Sequence, residues 1–143
     1  MTLDELIGAL GEESVEVLAG DMTDPQLLLM NVLGVLPGKT KPAEVVIFSA
    51  HYDHVGVEGE EIYNGADDDG SGTTGVLEVA RAFVKNKEDG KGPRRSILFL
   101  LVTAEEKGLM GSDYYTRHPV FPLENTVTNL NIDMIGRVDP PHE

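Results

Sequence analysis

The sequence predicts a single α/β domain in which helices cover both faces of a largely parallel sheet. Strand-like and helix-like apolar patterns alternate along the chain in the order β, β, α, β, α, β. The chain has 143 residues and 41% hydrophobic residues, which suits one domain, 1–143, with one core. Acidic and histidine side chains follow several strands, as at the ligand-binding edge of open α/β sheets.

The strands are predicted from short apolar runs. The run over 95–104 has no polar interruption after its first residues, which is typical of a central strand buried on both faces. The run over 26–38 is stopped by Pro37 and Gly38. The full set of predicted strands is 26–38, 44–50, 95–104 and 127–136.

The helices are predicted from apolar residues that recur every three or four positions. Such spacing predicts a short amphipathic helix over 2–10 and a longer one over 72–85, with Ser71 or a nearby aspartate as its N-cap. A further helix begins within 106–118. The stretch 55–66 has three glycines and no periodicity, and is predicted to be a loop.

Composition excludes several classes of partner. The formal net charge is −14, so nucleic acid is not expected to bind. No apolar run approaches the roughly 20 residues of a membrane-spanning helix, so no membrane partner is expected either. The first ten residues carry acids where a secretory signal carries Lys or Arg, so we expect a soluble chain without a signal peptide. There is no cysteine to form a disulfide or bind a metal.

Polar side chains gather where the predicted strands end. Asp, Glu and neutral His are the ligands of zinc and similar divalent ions. A carboxylate can bridge two ions, and a glutamate that is not a ligand can take a proton from water. The two glutamates of "AEEKG" point in different directions on an extended segment and could divide these roles. The candidate residues are His51, Asp53, Asp68, Glu105, Glu106 and Asp133.

Four motifs occur in a characteristic order along the chain. They are "SAHYDHVG", "NGADDDGSG", "VTAEEKGLMGS" and "NIDMIG", within roughly residues 30–138. In this the sequence resembles the M28 family of di-zinc metallopeptidases, most of which are aminopeptidases. The resemblance implies a three-layer zinc-peptidase fold with a central mixed sheet. It also implies a peptide substrate and two zinc ions that activate a water.

The resemblance assigns roles to the candidate residues. His51 and Asp133 match ligands of one zinc ion, and Asp68 matches the carboxylate that bridges both ions. Glu106 matches a ligand of the other ion. Glu105 matches the catalytic general base. Asp53 is expected to act in catalysis by orienting His51 through a hydrogen bond.

The chain also departs from the family pattern. The family's last zinc ligand is a histidine far downstream of "NIDM", whereas only His142 follows Asp133 here, in a tail that matches no family motif. We therefore expect a shortened catalytic domain, incomplete at its C-terminus, with 1–25 as an unmatched segment. The second zinc site lacks a clear histidine, so one ion is the alternative to two. Family members are often secreted or periplasmic, and the compartment of this chain stays open.

Two alternatives to an active peptidase follow. One is a folded but inactive metal-binding fragment that holds a single ion through His51, Asp68 and Asp133. The other is a calcium-binding module, because Asp67, Asp69, Ser71, Gly72 and Glu78 fit the EF-hand spacing. An EF-hand needs a helix before its loop, and the residues preceding Asp67 have no helical pattern.

The other two aspartates of "ADDDG" have separate expectations. Asp67 is expected to face solvent, and Asp69 to cap a helix or support the metal site. The resemblance implies a cis peptide bond between Asp68 and Asp69. Apolar surface that a missing C-terminal part would cover is expected to make the chain a homo-oligomer.

Overall fold

The computed structural model describes residues 15–19 and 29–137, the first range by its backbone pairing alone. Within these ranges there are seven strands, two α-helices and one 3-10 turn at Leu123–Asn125. The strands are β1 Val15–Ala19, β2 Met30–Leu36, β3 Lys41–His51, β4 Gly56–Glu58, β5 Glu61–Tyr63, β6 Arg95–Val102 and β7 Thr126–Asn131. The helices are α1 Gly70–Glu88 and α2 Met110–Arg117.

Five of the strands form one mixed sheet in the order β1-β2-β6-β3-β7. β6 and β7 run parallel to β3 on its two sides, while β2 is antiparallel to β6 and β1 antiparallel to β2. Because the three parallel strands point the same way, their carboxyl ends lie along one edge of the sheet. The predicted α/β class with a central mixed sheet is confirmed.

The core lies on both faces of β6, which is buried along all its length after Arg95. On one face Val76 and Ala80 of α1 pack against Phe99 and the neighbouring strands. On the other face Tyr115 of α2 packs against Leu98 and its neighbours. Each fully buried apolar side chain of this kind stabilises the fold by roughly 1.5–3 kcal/mol. The two layers hold the sheet edge in place beneath the candidate site.

Helix α1 begins at Gly70 because the Asp69 side chain caps it, with Oδ1 accepting from the Gly72 amide at 2.9 Å. It continues to Glu88 and is therefore longer than the predicted 72–85. Lys85 and Lys87 lie in its last turn, where positive charge is favourable. The cap fixes the position of the aspartate-rich segment relative to the helix axis.

Some predicted elements differ from the structure. The stretch 55–66, predicted to be a loop, contains the β4–β5 hairpin, whose strands are too short and too exposed to show an apolar pattern. The strand predicted over 127–136 ends at Asn131, so Asp133 lies in the following turn. β1 lies within the unmatched segment 1–25, at positions where the sequence predicted no element. The predicted helix over 2–10 lies outside the described residues. None of the described helices is long and apolar enough to cross a bilayer.

Candidate metal centre

Three candidate ligands meet at the carboxyl edge of the sheet. His51 is the last residue of β3, and Asp133 follows the parallel neighbour β7, while Asp68 precedes α1. One ligand atom from each residue lies within 4.8 Å of the others, and Nε2 of His51 is 3.0 Å from Oδ1 of Asp68. The parallel pairing of β3 and β7 brings the ends of these strands together. It continues just beyond the last strand pair, where the Ile132 amide donates to the Ser49 carbonyl at 2.8 Å.

The three side chains differ in exposure. The His51 side chain is 3% exposed and the Asp68 side chain 46% exposed, and Asp133 is exposed as well. The strand predicted over 127–136 would include Asp133, but β7 ends two residues earlier, so this carboxylate lies at the exposed rim. The histidine is thus rigidly placed, while the two carboxylates stand at the solvent side, where an ion can enter.

Hydrogen bonds hold His51 from both sides. Its Nδ1 lies 3.1 Å from the carbonyl oxygen of Asp53, which directs Nε2 toward Asp68. Its amide donates to Oδ2 of Asp69 at 3.1 Å, and its carbonyl accepts from Oγ1 of Thr73 at 2.7 Å. The orientation of the imidazole is therefore set before any ion binds.

The Asp53 carboxylate contacts the turn that carries the two glutamates, while the hydrogen bond between Asp53 and the His51 ring comes from the Asp53 backbone. It lies 3.6 Å from Nδ1 of His51, and the backbone carbonyl makes the contact with the ring instead. Its two oxygens accept from the amides of Glu105 at 3.0 Å and Glu106 at 3.3 Å. Asp53 therefore joins the strand end that carries His51 to the turn that carries both glutamates.

Glu105 and Glu106 face different cavities, as the sequence predicts for neighbours in this turn. Oε2 of Glu105 is 4.0 Å from Nε2 of His51, and Glu105 lines a mainly apolar cavity together with Asp133 and Tyr115. Glu106 lines a second cavity with Asp68, next to the β4–β5 hairpin. Glu105 therefore lies beside His51, and Glu106 lies in the cavity that Asp68 also lines.

Burial and nearby charges shift the pKa of two groups. Burial disfavours the charged form of His51, but the carboxylates of Asp69, Glu105, Asp53 and Asp133 outweigh it and raise the pKa of the imidazole. Burial raises the pKa of Glu105, with Glu106 and other carboxylates adding to the rise and His51 opposing it. A glutamate with a raised pKa is suited to accept and return a proton near neutral pH.

The three aspartates of "ADDDG" have three distinct environments. Asp69 is 1% exposed and accepts hydrogen bonds from the amides of Gly72, His51 and Met134, so the predicted capping role is confirmed. The Asp68–Asp69 peptide bond is cis, as the resemblance implied. The prediction that Asp67 faces solvent is wrong, because its side chain is 14% exposed and binds residues 136 and 137.

The EF-hand alternative does not fit this geometry. Ser71, Gly72 and Glu78 all lie inside α1, so the segment is a helix instead of a twelve-residue calcium loop. A hairpin precedes it where an EF-hand has a helix. The imidazole and two carboxylates of His51, Asp68 and Asp133 are instead a donor set that suits zinc and related divalent ions. Within residues 29–137, Glu106 joins no second group of three such donors.

The profile of Peptidase family M28 matches residues 31–142. The chain belongs to this family. The match includes every candidate residue of the site, from His51 to Asp133.

Similar proteins and structures agree with this assignment. The chain is 36% identical over 108 residues to aminopeptidase YwaD of Bacillus subtilis, a match of 74% of this chain and 22% of that protein. A crystal structure of a zinc aminopeptidase from Bacillus subtilis, 32% identical, aligns with a TM-score of 0.63 over 78% of this chain and 26% of that one. A zinc-dependent exopeptidase from Parabacteroides distasonis, 21% identical, shares the fold with a TM-score of 0.71 over 93% of this chain and 52% of that one. The chain thus spans about a quarter to a half of these proteins.

The contacts of two residues that shape the site were not predicted from the sequence. Asp67 is one, because its partners lie about 70 positions further along the chain and no local pattern announces them. The carboxylate of Asp53 is the other, because its acceptor role toward the glutamate turn depends on the β3–β6 register. A signal for Asp67 did exist in Gly136, where a side chain would collide with the Asp67 carboxylate at 2.7 Å.

Proposed function

We propose that this chain carries the metal-binding and proton-transfer residues of a zinc-dependent aminopeptidase. The observation that supports the proposal best is that His51, Asp68 and Asp133 converge while Oε2 of Glu105 lies 4.0 Å from Nε2 of His51. Membership of Peptidase family M28 gives this arrangement its chemical class. The aminopeptidase names of the Bacillus relatives support hydrolysis at the N-terminal end of peptides.

In this proposal His51, Asp68 and Asp133 would hold one zinc ion. Asp68 and Glu106 would hold a second, since both line one cavity. Bound zinc supplies a polarised substrate carbonyl and a water of lowered pKa. The carboxylates left at the rim, together with the net charge of −14, would attract the free amine of a peptide substrate.

Glu105 would act as general base and then as general acid. Its Oε2 would take the proton of the attacking water and afterwards deliver it to the departing amine of the cleaved peptide bond. Burial raises the pKa of Glu105, which brings the carboxylate closer to the working range of such a proton carrier. Asp53 would keep Glu105 in place by accepting the hydrogen bond of its amide at 3.0 Å.

Hydrolysis of aminoacyl-nitroanilides by the zinc-loaded chain tests the proposal. We expect Glu105→Gln to lower kcat by about 10²- to 10⁴-fold while zinc affinity stays near that of the parent. Glu124→Gln is the matched control, because Glu124 is an exposed glutamate in the 3-10 turn. Turnover that is equal in the parent and in Glu105→Gln would disprove the assignment of the base.

The same assay separates the active peptidase from the alternative of an inactive metal-binding fragment. A chain that binds one zinc ion through His51, Asp68 and Asp133 but shows no turnover would be that fragment. Metal content per chain, measured by elemental analysis after gel filtration, gives the ion count. Two ions with turnover would support the two-metal proposal.

We also propose that chains associate in pairs along β7. Among the described strands β7 pairs with β3 alone, so its other edge presents unpaired backbone groups. Val127 and Leu130 on this strand are 52% and 46% exposed. Light scattering after gel filtration should give a dimer mass, and Leu130→Lys should reduce it toward that of a single chain. A parent that elutes as a single chain at every concentration would contradict this proposal.

A further inference from the structure

A short segment after β7 is tied to the aspartate-rich segment by side chains that are outside the proposed ligand set. Asp133 lies in the turn that follows β7, and the next residues run back over the start of α1. Met134 has a positive φ of 50°, which turns the chain sharply after the proposed ligand. Contacts that fix residues 135–137 therefore also limit where Asp133 can stand.

Asp67 makes most of these contacts. Its Oδ1 accepts from the Gly136 amide at 2.8 Å, and its Oδ2 accepts from Nε of Arg137 at 3.0 Å. The Arg137 guanidinium, the Gly136 amide and the Ser71 hydroxyl thus all face this carboxylate. A charged acceptor makes shorter and stronger hydrogen bonds than a neutral one.

Ser71 completes the connection from the first turn of α1. Its hydroxyl lies 2.7 Å from the Asp67 carbonyl and 3.1 Å from Oδ1 of Asp67, and it accepts from the Ile135 amide at 3.0 Å. The Ile135 amide thus donates to Ser71, and the next amide, that of Gly136, donates to Asp67. We name Asp67 and Ser71 the loop clamp.

We propose that the loop clamp positions Asp133 for metal binding, which makes Asp67 and Ser71 positioning residues of the proposed zinc site. The inference rests on the proposed function, because it takes Asp133 to be a ligand. Asp67 is joined directly to Asp68, so one segment supplies a ligand and holds the loop that supplies another. Loss of the clamp leaves all ligands present but lets Asp133 move away from His51 and Asp68.

Zinc titration of the 143-residue chain against a chelating dye tests the proposal. We expect Asp67→Ala to weaken zinc binding by about 10- to 100-fold, the usual effect of removing a residue that supports a metal ligand. Asp67→Asn keeps an oxygen that can accept from Gly136 and Ser71, and should restore affinity to within about fivefold of the parent. The remaining loss is small because the Arg137 side chain is 78% exposed and an exposed ion pair contributes little.

The matched control is Asp113→Ala, which removes an aspartate whose ion pair with Arg117 lies on α2, outside the candidate site. Zinc affinity should stay unchanged in this variant. A second readout uses the metal-free chain, in which Asp67→Ala should speed hydrogen exchange at the amides of Ile135 and Gly136. Gly136→Ala disturbs the same contact from the other side and should weaken zinc binding as well, because its new methyl group would meet Oδ1 of Asp67 at 2.7 Å.

Each result has a definite meaning. Parent-like zinc affinity in Asp67→Ala would overturn the clamp while leaving the proposed function intact. A parent that binds no zinc would instead refute the proposed function. If Asp67→Ala does not fold, as judged by circular dichroism, Asp67→Asn and Gly136→Ala carry the test. Equal zinc affinity in Gly136→Ala and the parent would then overturn the proposal.

Discussion

The two halves of the candidate site differ in how completely they are built. In the first half, His51, Asp68 and Asp133 bring their ligand atoms within 4.8 Å, and His51 and the turn bearing Asp133 are held by hydrogen bonds. In the second half, Glu106 shares a cavity with Asp68 but forms no such group within residues 29–137. Parallel strand ends assemble the first half, whereas the second depends on a single turn. The two halves therefore differ in how firmly the fold positions their side chains before a metal binds, and not in the number of their carboxylates.

Removal of His51 should produce the largest change. We expect His51→Ala to weaken zinc binding more than about 100-fold, beyond what the loss of a merely supporting residue causes. The readout is competition with a chelating dye of known affinity. His118→Ala serves as the control, because His118 is exposed and stacks on Tyr114. If both variants bind zinc equally well, the first half is not the principal site.

Removal of Asp69 should loosen the frame of the first half. Asp69→Ala deletes the cap of α1 and leaves the amides of His51 and Met134 without their acceptor. We expect the free energy of unfolding of the metal-free chain to fall by about 2 kcal/mol, from the lost cap and the unpaired buried amide. Urea denaturation measures it, with Asp113→Ala as a surface comparison. A loss no larger than that of Asp113→Ala would show that the frame does not depend on Asp69.

Removal of Glu106 should separate the halves most directly. We expect Glu106→Gln to change the affinity for the first zinc ion by less than about tenfold, while any second equivalent is lost. Isothermal titration gives both the affinity and the stoichiometry. Equal losses in Glu106→Gln and His51→Ala would mean that the halves are a single site.

The smallest effect is expected outside both halves, at Glu44. Hydrogen bonds from Lys41 and then Arg95 lower the pKa of this half-buried carboxyl, with Nε of Arg95 2.6 Å from its Oε2. Because the pKa is lower in the folded chain, the stabilisation is present above the ordinary glutamate pKa and is lost as pH falls through the lowered value. Glu44→Gln should therefore unfold with a slightly weaker dependence on acidic pH. An unchanged dependence would show that the ion pairs contribute nothing.

Much of the fold could be predicted because its buried strands and helices have a recognisable apolar pattern in their own sequence. The apolar run of β6 and the helical spacing of α1 reflect burial that each segment carries in its own sequence. The β4–β5 hairpin was missed, since Val57 and Ile62 are both 69% exposed and no face of the hairpin is buried. Strand and helix patterns are signals of burial, so elements that bury little leave no signal.

The candidate site was predictable to the extent that its residues follow strands. His51 and Asp133 could be placed together from the parallel order alone, because neighbouring parallel strands end at one edge. The loop clamp and the amide contacts of Asp53 could not, since they join residues that only the three-dimensional register brings together. The exposure of Asp133 was missed for a related reason, as it depends on where β7 ends.

Asn31 has a consequence for attempts to redesign this protein. Its buried side chain accepts from the Thr103 amide at 3.1 Å and donates to the Gly111 carbonyl at 2.7 Å, on either side of the turn that carries the two glutamates. Asp53 holds the same turn at its middle. Hydrogen bonds therefore hold the turn at both ends and in its middle. We expect this turn to keep its shape in another scaffold only when Asn31 and Asp53 are grafted together with it.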